Sequence, residues 1–296
     1  EQRKTELLSR RELDFEIVAE KFIKLYARPN VQTWRTTARL LRQYPVPAWR
    51  GVPIDEIRRT DVHDLLDEII ATRGVALARE ARKPISRLFN WAVDRGYLLA
   101  SPVAGMRRPE LAYVPRDRVL SMGELGDVWE ASKSVGYPFG SLIQLLLLSA
   151  QRRAEIANLE WDWINRDQRQ IEIPAHKYKT KRPQIVPLTD RIEEIVDRLP
   201  RWRNGTFLLT TTAGRRPVSG FSKAKVLVSE AAGFSDWTLH DLRRSAATHM
   251  ARLGVSQEHI ERVLGHAIPG VAGTYNRYSY IAEKRAALET WSSQWK

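Results

Sequence analysis

Between Trp237 and Tyr280 the chain gathers residue types suited to chemistry at a phosphodiester. It reads Thr238-Leu-His-Asp-Leu-Arg-Arg at its start, Val263-Leu-Gly-His at its middle and Thr274-Tyr-Asn-Arg-Tyr towards its end. His240 and Arg243 stand three apart, so on a helix they share one face. His266 follows a Leu-Gly pair, and Tyr275, Tyr278 and Tyr280 come after it. Guanidiniums answer a crowded negative charge bidentately, imidazoles exchange protons near neutral pH, and a phenol can attack phosphorus. Upstream, Arg152 and Arg153 follow directly on an apolar run, and Lys177, Lys179 and Lys181 crowd a turn before Arg182-Pro183. Two arginines at a helix start oppose the helix dipole, and an anion partner would relieve them.

These residues need elements to hold them. Gln170-Ile-Glu-Ile-Pro174 alternates as a strand, and Gln184-Ile-Val-Pro-Leu188 returns, so the lysines fall at a hairpin tip. A buried helix over 139–148 delivers Arg152. Thr238 and Asp241 have capping spacing, which puts His240 in the first turn of the next helix. Ser256 caps a short helix that Gly265 stops, leaving His266 just beyond it. A short strand is expected at 207–210. The amphipathic C-terminal helix with Trp291 and Trp295 either packs on its own domain or docks on a neighbouring copy of the chain.

The first hundred residues read as helices only. Phe15, Val18, Ala19, Phe22, Ile23 and Tyr26 make one apolar face, and a second helix runs through Trp34 and Leu41 to stop before Pro45. Asp61 reads as an N-cap before the stripe Val62, Leu65, Leu66, Ile69 and Ile70. A further helix from Ala76 to Arg95 should kink or split at Pro84 and end at Gly96. The fold class is therefore mainly α with a small β-hairpin or sheet (α+β). The expected domains are a helical unit over 1–108, a linker over 109–118 and a second domain over 119–296. Arg107-Arg108-Pro to Pro115 is that basic, proline-bracketed linker.

Composition narrows the partner. The 296 residues carry a formal charge of +13 spread over both halves, which points to a polyanion, nucleic acid first. With no cysteine there is neither a disulfide framework nor a thiolate zinc site. The longest apolar run, about 142–148, is far too short for a membrane span, and no signal peptide is visible. The chain opens without Met, as a fragment or processed product would.

Taken in order, Arg152, Lys179, His240, Arg243, His266 and Tyr275 resemble the tyrosine recombinase (phage-type integrase) family. The motifs are Gln151-Arg-Arg-Ala-Glu155, the lysine hairpin, His240-x-x-Arg243, Leu264-Gly-His266 and a tyrosine nine residues later. The first box departs from the family pattern: Ser149-Ala150 stands for Thr-Gly, and Ala154-Glu155 for Gly-Glu. The resemblance implies a helical core-binding domain followed by a catalytic domain. It implies Tyr275 as nucleophile, with Tyr278 and Tyr280 as competitors. Arg152 and Arg243 would stabilise the transition state, Lys179 act as general acid, His240 as base or phosphate ligand, and His266 as phosphate hydrogen-bond partner. Glu155 would support an arginine. Arg107, Arg108, Lys177, Lys181 and Arg182 are the expected DNA contacts. The implied activity is metal- and ATP-independent cleavage and rejoining of DNA through a 3′-phosphotyrosine, without cofactor, in the cytoplasm of a bacterial or phage context. The implied partners are recombination sites in double-stranded DNA, a homotetramer on two duplexes, and accessory bending or directionality proteins. A type IB topoisomerase-like enzyme and an inactive DNA-binding regulator are the rival readings. Family members often carry an additional N-terminal arm-binding domain.

Overall fold

In a computed structural model the described residues are 12–107, 109, 116–177, 183–266 and 278–295. The chain divides into two compact units, Glu1–Pro115 and Arg116–Lys296.

The first unit is built on amphipathic helices. Asp14 caps α1 (Phe15–Phe22) by accepting the Glu16 N–H at 2.9 Å, and Phe15, Val18, Ala19 and Phe22 turn inward. A π-helical turn over Ile23–Ala27 carries the chain on to Arg28–Asn30. Beyond α2 (Trp34–Gln43) lies α3 (Arg59–Arg73). It starts before Asp61: Arg58 takes the N-cap position, and the Asp61 carboxylate accepts its N–H at 2.7 Å. Asp61 is thus the third residue of the helix, not its cap. α4 (Val75–Asp94) runs unsplit through Pro84. Pro84 lies on the buried face beside Ile85, Leu88 and Phe89, where packing offsets the lost backbone hydrogen bond. Phe15 anchors the centre, edge-on to Trp49 at 4.8 Å and tilted against Phe89 at 6.1 Å. Such ring pairs add about 1 kcal/mol beyond their buried area.

In the second unit Ser121 and Glu124 form the capping box of α5 (Met122–Val135). Next comes α6 (Phe139–Ser149), apolar all round and buried from Leu142 to Ser149 except at Gln144. Gly140 lets it approach α5: a Cβ there would lie 1.9 Å from the Ser132 carbonyl oxygen. The short α7 (Arg153–Ala157) follows, then an antiparallel sheet ordered β1 (Ile164–Asn165), β2 (Gln170–Ile173), β3 (Gln184–Pro187). Ile171 pairs with Val186 and Ile173 with Gln184, so the two strands of the expected hairpin are present with a third strand added. Residues 207–210 form no strand; Phe207 makes a single bridge to Glu160.

Thr189 caps α8 (Asp190–Asp197), and α9 (Phe221–Ala232) packs on α5. α10 (Leu239–Arg252) and α11 (Gln257–Leu264) carry the histidine motifs. The C-terminal α12 (Ile281–Ser292) lies on its own unit. Trp291 is fully buried, donates its indole N–H to Leu147 O at 2.8 Å and stacks on His249. Lys284 Nζ reaches Ile185 O at 2.9 Å and Arg285 reaches Leu188 O at 2.9 Å, fastening α12 along β3.

Candidate active site

The site is assembled at three chain reversals. At the first, α6 ends in Ala150, whose φ of 54° is left-handed. A residue with a Cβ is strained there by roughly 1–2 kcal/mol relative to glycine. The turn aims the Ala150 carbonyl at Arg243 Nη1, 2.8 Å away. Two residues on, Arg152 is the N-cap of α7. The buried Glu155 carboxylate accepts its backbone N–H and its Nη1, each at 3.0 Å. That carboxylate is the anion a positive helix start calls for. The neighbouring Arg153 instead lies over the Phe221 ring at 4.5 Å.

At the second reversal the Thr238 hydroxyl accepts the Asp241 N–H at 3.3 Å and the Asp241 carboxylate accepts the Thr238 N–H at 2.9 Å. This box starts α10 and places His240 and Arg243 in its first turns. Arg243 is only 4% exposed, yet it is a full guanidinium. Nη1 donates to Ala150 O, and Nη2 donates to Leu264 O at 2.6 Å and faces His266 Nε2 at 3.1 Å. Rigid backbone acceptors on two other segments therefore hold it in one orientation, and burial makes its charge act at short range.

The third reversal ends α11. Gly265 has φ 62°, the Gly265 N–H returns to Arg262 O and the His266 N–H to Glu261 O, both at 3.1 Å. This is a Schellman closure, and glycine relaxes its left-handed residue. It delivers His266 to Arg243, and the Glu261 carboxylate binds Nδ1 from behind. The carboxylate at Nδ1 and the guanidinium at Nε2 fix the orientation of the ring between them.

His240 reaches the surface at the mouth of the site. Desolvation against the helix start, then the positive charges of Arg243, Arg244 and Arg152, push its imidazole below the ordinary histidine range against the opposing pull of Asp241. A neutral His240 is thereby favoured, which suits a proton acceptor.

Beneath these groups Gln151 ties the segments together. Its Nε2 donates to Ser149 O and Val263 O, both at 2.8 Å, and Gln184 Nε2 on β3 reaches Val263 O at 3.2 Å. Gln151, Gln184 and Glu261 carry no expectation from the sequence. Gln151 stands inside the arginine motif, but its bond to Val263 O reaches a segment distant in the chain, and Glu261 is an unremarkable acid on a polar helix face.

Lys179, Lys181, Arg182, Arg108 and Tyr275 lie outside the described residues. Lys177 is committed elsewhere, to Glu160 at 3.2 Å and over the Trp163 ring at 5.9 Å. Arg107 is exposed. The two competing tyrosines are engaged with carboxylates. Tyr280 donates to Glu258 at 2.8 Å under the Arg262 guanidinium. The hydrogen bond and negative charge of Glu283 raise the Tyr278 phenol above its ordinary range, the wrong direction for a nucleophile. Among the described residues no cluster of three or more His, Asp or Glu side chains is placed to hold a metal ion, and no helix is long and apolar enough to cross a membrane.

Both units have counterparts. A family model described as the phage integrase family matches residues 121–281, and one described as the phage integrase central domain matches residues 15–109. Over 260 residues the chain is 30% identical to prophage integrase IntZ of Escherichia coli (strain K12), covering 84% of this chain and 62% of that protein. It thus spans less than two thirds of that relative's length. Over 253 residues it is 28% identical to tyrosine recombinase XerC of Mycobacterium leprae (strain TN), covering 80% of this chain and 83% of that one. The fold is similar to that of a lambda integrase dimer bound to a COC′ core site, with TM-score 0.66, 18% identity, and 86% of this chain and 95% of that one covered.

Proposed function

The chain belongs to the phage integrase family, and from that premise we propose that it is a site-specific DNA recombinase working through a tyrosyl–DNA intermediate. One observation carries the reading: Arg243 and His266 are gathered with the Arg152 turn from three separate chain reversals, held by backbone carbonyls, the buried Glu155 carboxylate and Glu261. That preorganisation suits a phosphoryl group whose charge grows in the transition state.

In this reading the Tyr275 hydroxyl attacks the scissile phosphorus. Its proton passes to His240, the bond from phosphorus to the 5′-oxygen breaks, and the leaving oxygen takes a proton from Lys179. The product is a 3′-phosphotyrosine that keeps the phosphodiester's energy, so rejoining is the reverse step with a new 5′-hydroxyl. Arg152, Arg243 and His266 bind the non-bridging oxygens, and Glu155 holds Arg152. Removing one such cation costs about 3 kcal/mol of transition-state stabilisation, roughly a hundredfold in rate. The reaction draws on neither metal nor nucleotide.

Unit 1 adds a DNA-binding face. Arg79, Lys83, Ser86, Arg87 and Asn90 line α4 at helical spacing beside Tyr26, around a groove of about 430 Å³. Cations contacting phosphates would make binding steeply salt-dependent. Assembly as a homotetramer on two core sites, with accessory proteins setting direction, follows from the same reading.

The test is covalent capture on a nicked duplex carrying the core site, in the absence of Mg²⁺ and ATP. The wild type is expected to form an adduct resistant to detergent, and Tyr275→Phe to form none. An adduct that persists in Tyr275→Phe moves the nucleophile to Tyr278 or Tyr280. Tight binding by the wild type without any adduct would overturn the enzyme reading in favour of a DNA-binding regulator.

A further inference from the structure

The chain enters the second unit along the back of its catalytic helix. Arg116 Nε binds Asp241 at 2.9 Å and Nη2 binds Asp236 at 2.8 Å. Arg118 donates to Asp236 O at 3.1 Å and pairs with Glu124, while Arg244 Nη1 donates to Arg118 O at 3.4 Å. Leu120 N donates to Ser245 Oγ at 2.8 Å, and Leu120 O faces His249 Nε2 at 2.8 Å. Residues 116, 118 and 120 thus meet 241, 244–245 and 249 in turn, an extended strap laid along successive turns of one face of α10. His240 and Arg243 project from the other side of the same helix.

Asp241 joins the strap to the site. It is 1% exposed and directly follows His240. Its two oxygens serve the Arg116 guanidinium, the Thr238 N–H and the Arg244 guanidinium. Burial alone would raise its carboxyl, but the hydrogen bonds from Arg116 and Thr238 outweigh it and hold the group ionised. Helix capping alone would engage only the Thr238 N–H, whereas the bond to Arg116 ties the first turn of α10 to the point where the chain arrives from unit 1.

We propose that Arg116 and Asp241 are positioning residues for the strand-cleavage reaction, fixing the first turns of α10 and so the aim of His240 and Arg243 at the scissile phosphate. This rests on the recombinase reading above. Loosening the strap leaves the DNA contacts intact but lets the two groups wander. A misplacement of ~1 Å costs about a hundredfold, and a helix start that keeps its cap should lose part of that, about tenfold.

The experiment is single-turnover cleavage of the nicked duplex by the full chain, with affinity measured in parallel. Arg116→Ala takes one partner from the buried Asp241 carboxylate but leaves it Thr238 and Arg244, so the variant is expected to melt lower than the wild type yet stay folded at the assay temperature, which a thermal melt checks. Its cleavage rate at saturating DNA should fall about tenfold while Kd stays within about twofold. Arg116→Lys, which keeps the charge, should recover most of the rate. Asp241→Asn should fall similarly, and the double variant no further than the slower single one. Cleavage by Arg116→Ala at the wild-type rate would overturn the inference. So would a loss confined to affinity, since Arg116 would then act as a phosphate contact. If the wild type forms no adduct, the recombinase reading fails and takes this inference with it; the other negative results leave that reading standing.

Discussion

Replacing Lys284 by methionine should stabilise the protein at neutral pH and remove part of its gain in stability at high pH. Lys284 is buried between α12 and β3, with Nζ on Ile185 O at 2.9 Å. Burial, helped by the nearby Arg262 charge, lowers its pKa from 10.5 to about 8. The folded-state pKa is depressed, so the unfolded chain binds the extra proton between pH 8 and 10.5 and stability rises with pH across that window. A shift of about 2.5 units corresponds to roughly 3 kcal/mol of unfavourable charge burial at pH 7. At pH 9.5 the folded amine is mostly neutral and only about 1.4 kcal/mol of that penalty remains. Methionine has a similar length and no charge, and it forfeits one hydrogen bond worth about 1 kcal/mol. Lys284→Met should therefore be about 2 kcal/mol more stable than the wild type at pH 7 and nearly equal to it at pH 9.5. Urea denaturation of both proteins at the two pH values reads this directly. A variant less stable at pH 7, or a difference that does not shrink with pH, would refute the reasoning and show that the ammonium–carbonyl contact outweighs its desolvation.

Two further outcomes concern the site. Because the His240 pKa is lowered by desolvation and by Arg243, Arg244 and Arg152, its neutral form persists below the ordinary histidine pKa of about 6.5. The single-turnover cleavage rate should hold as pH falls through that value and drop only below it; an acid limb at or above it would remove His240 from the role of proton acceptor. Gln151→Leu keeps the volume but strips the Ser149 and Val263 carbonyls of a donor, so unit 2 should lose about 2 kcal/mol by denaturant titration; a loss below about 0.5 kcal/mol would mean that Gln184 alone holds the three segments.

Much of this was legible in the chain. Apolar stripes such as Phe15-Val18-Ala19-Phe22 predict helix faces because burial depends on spacing. The Thr238 and Ser256 caps were readable because a hydroxyl before an apolar period has one obvious use. Asp61 misled for a related reason: its carboxylate serves equally as a cap or as the third residue of a box, and only the backbone of Arg58 decides. Pro84 misled because the sequence does not say that its ring falls on the buried face of α4. In the site, four of the side chains that gather, Arg152, His240, Arg243 and His266, could be named from motif spacing. Their fixings could not: Arg243 is held by carbonyls of Ala150 and Leu264, and every residue has a carbonyl. The small-for-small exchange at Ala150 is now placed at a left-handed turn where glycine would sit without strain.

The strap also bears on how the protein can be dissected. Helix boundaries suggest opening a catalytic fragment at Ser121, the cap of α5. That cut discards Arg116–Leu120, leaving the buried Ser245 hydroxyl and His249 imidazole without Leu120 and Asp241 without Arg116. Such a fragment would retain every motif residue of the second unit while losing the brace behind them. Its weak activity could then be mistaken for a need for the first unit. A fragment opening at Arg116 carries its own brace, so comparing the two separates the contribution of a few linking residues from that of a whole domain.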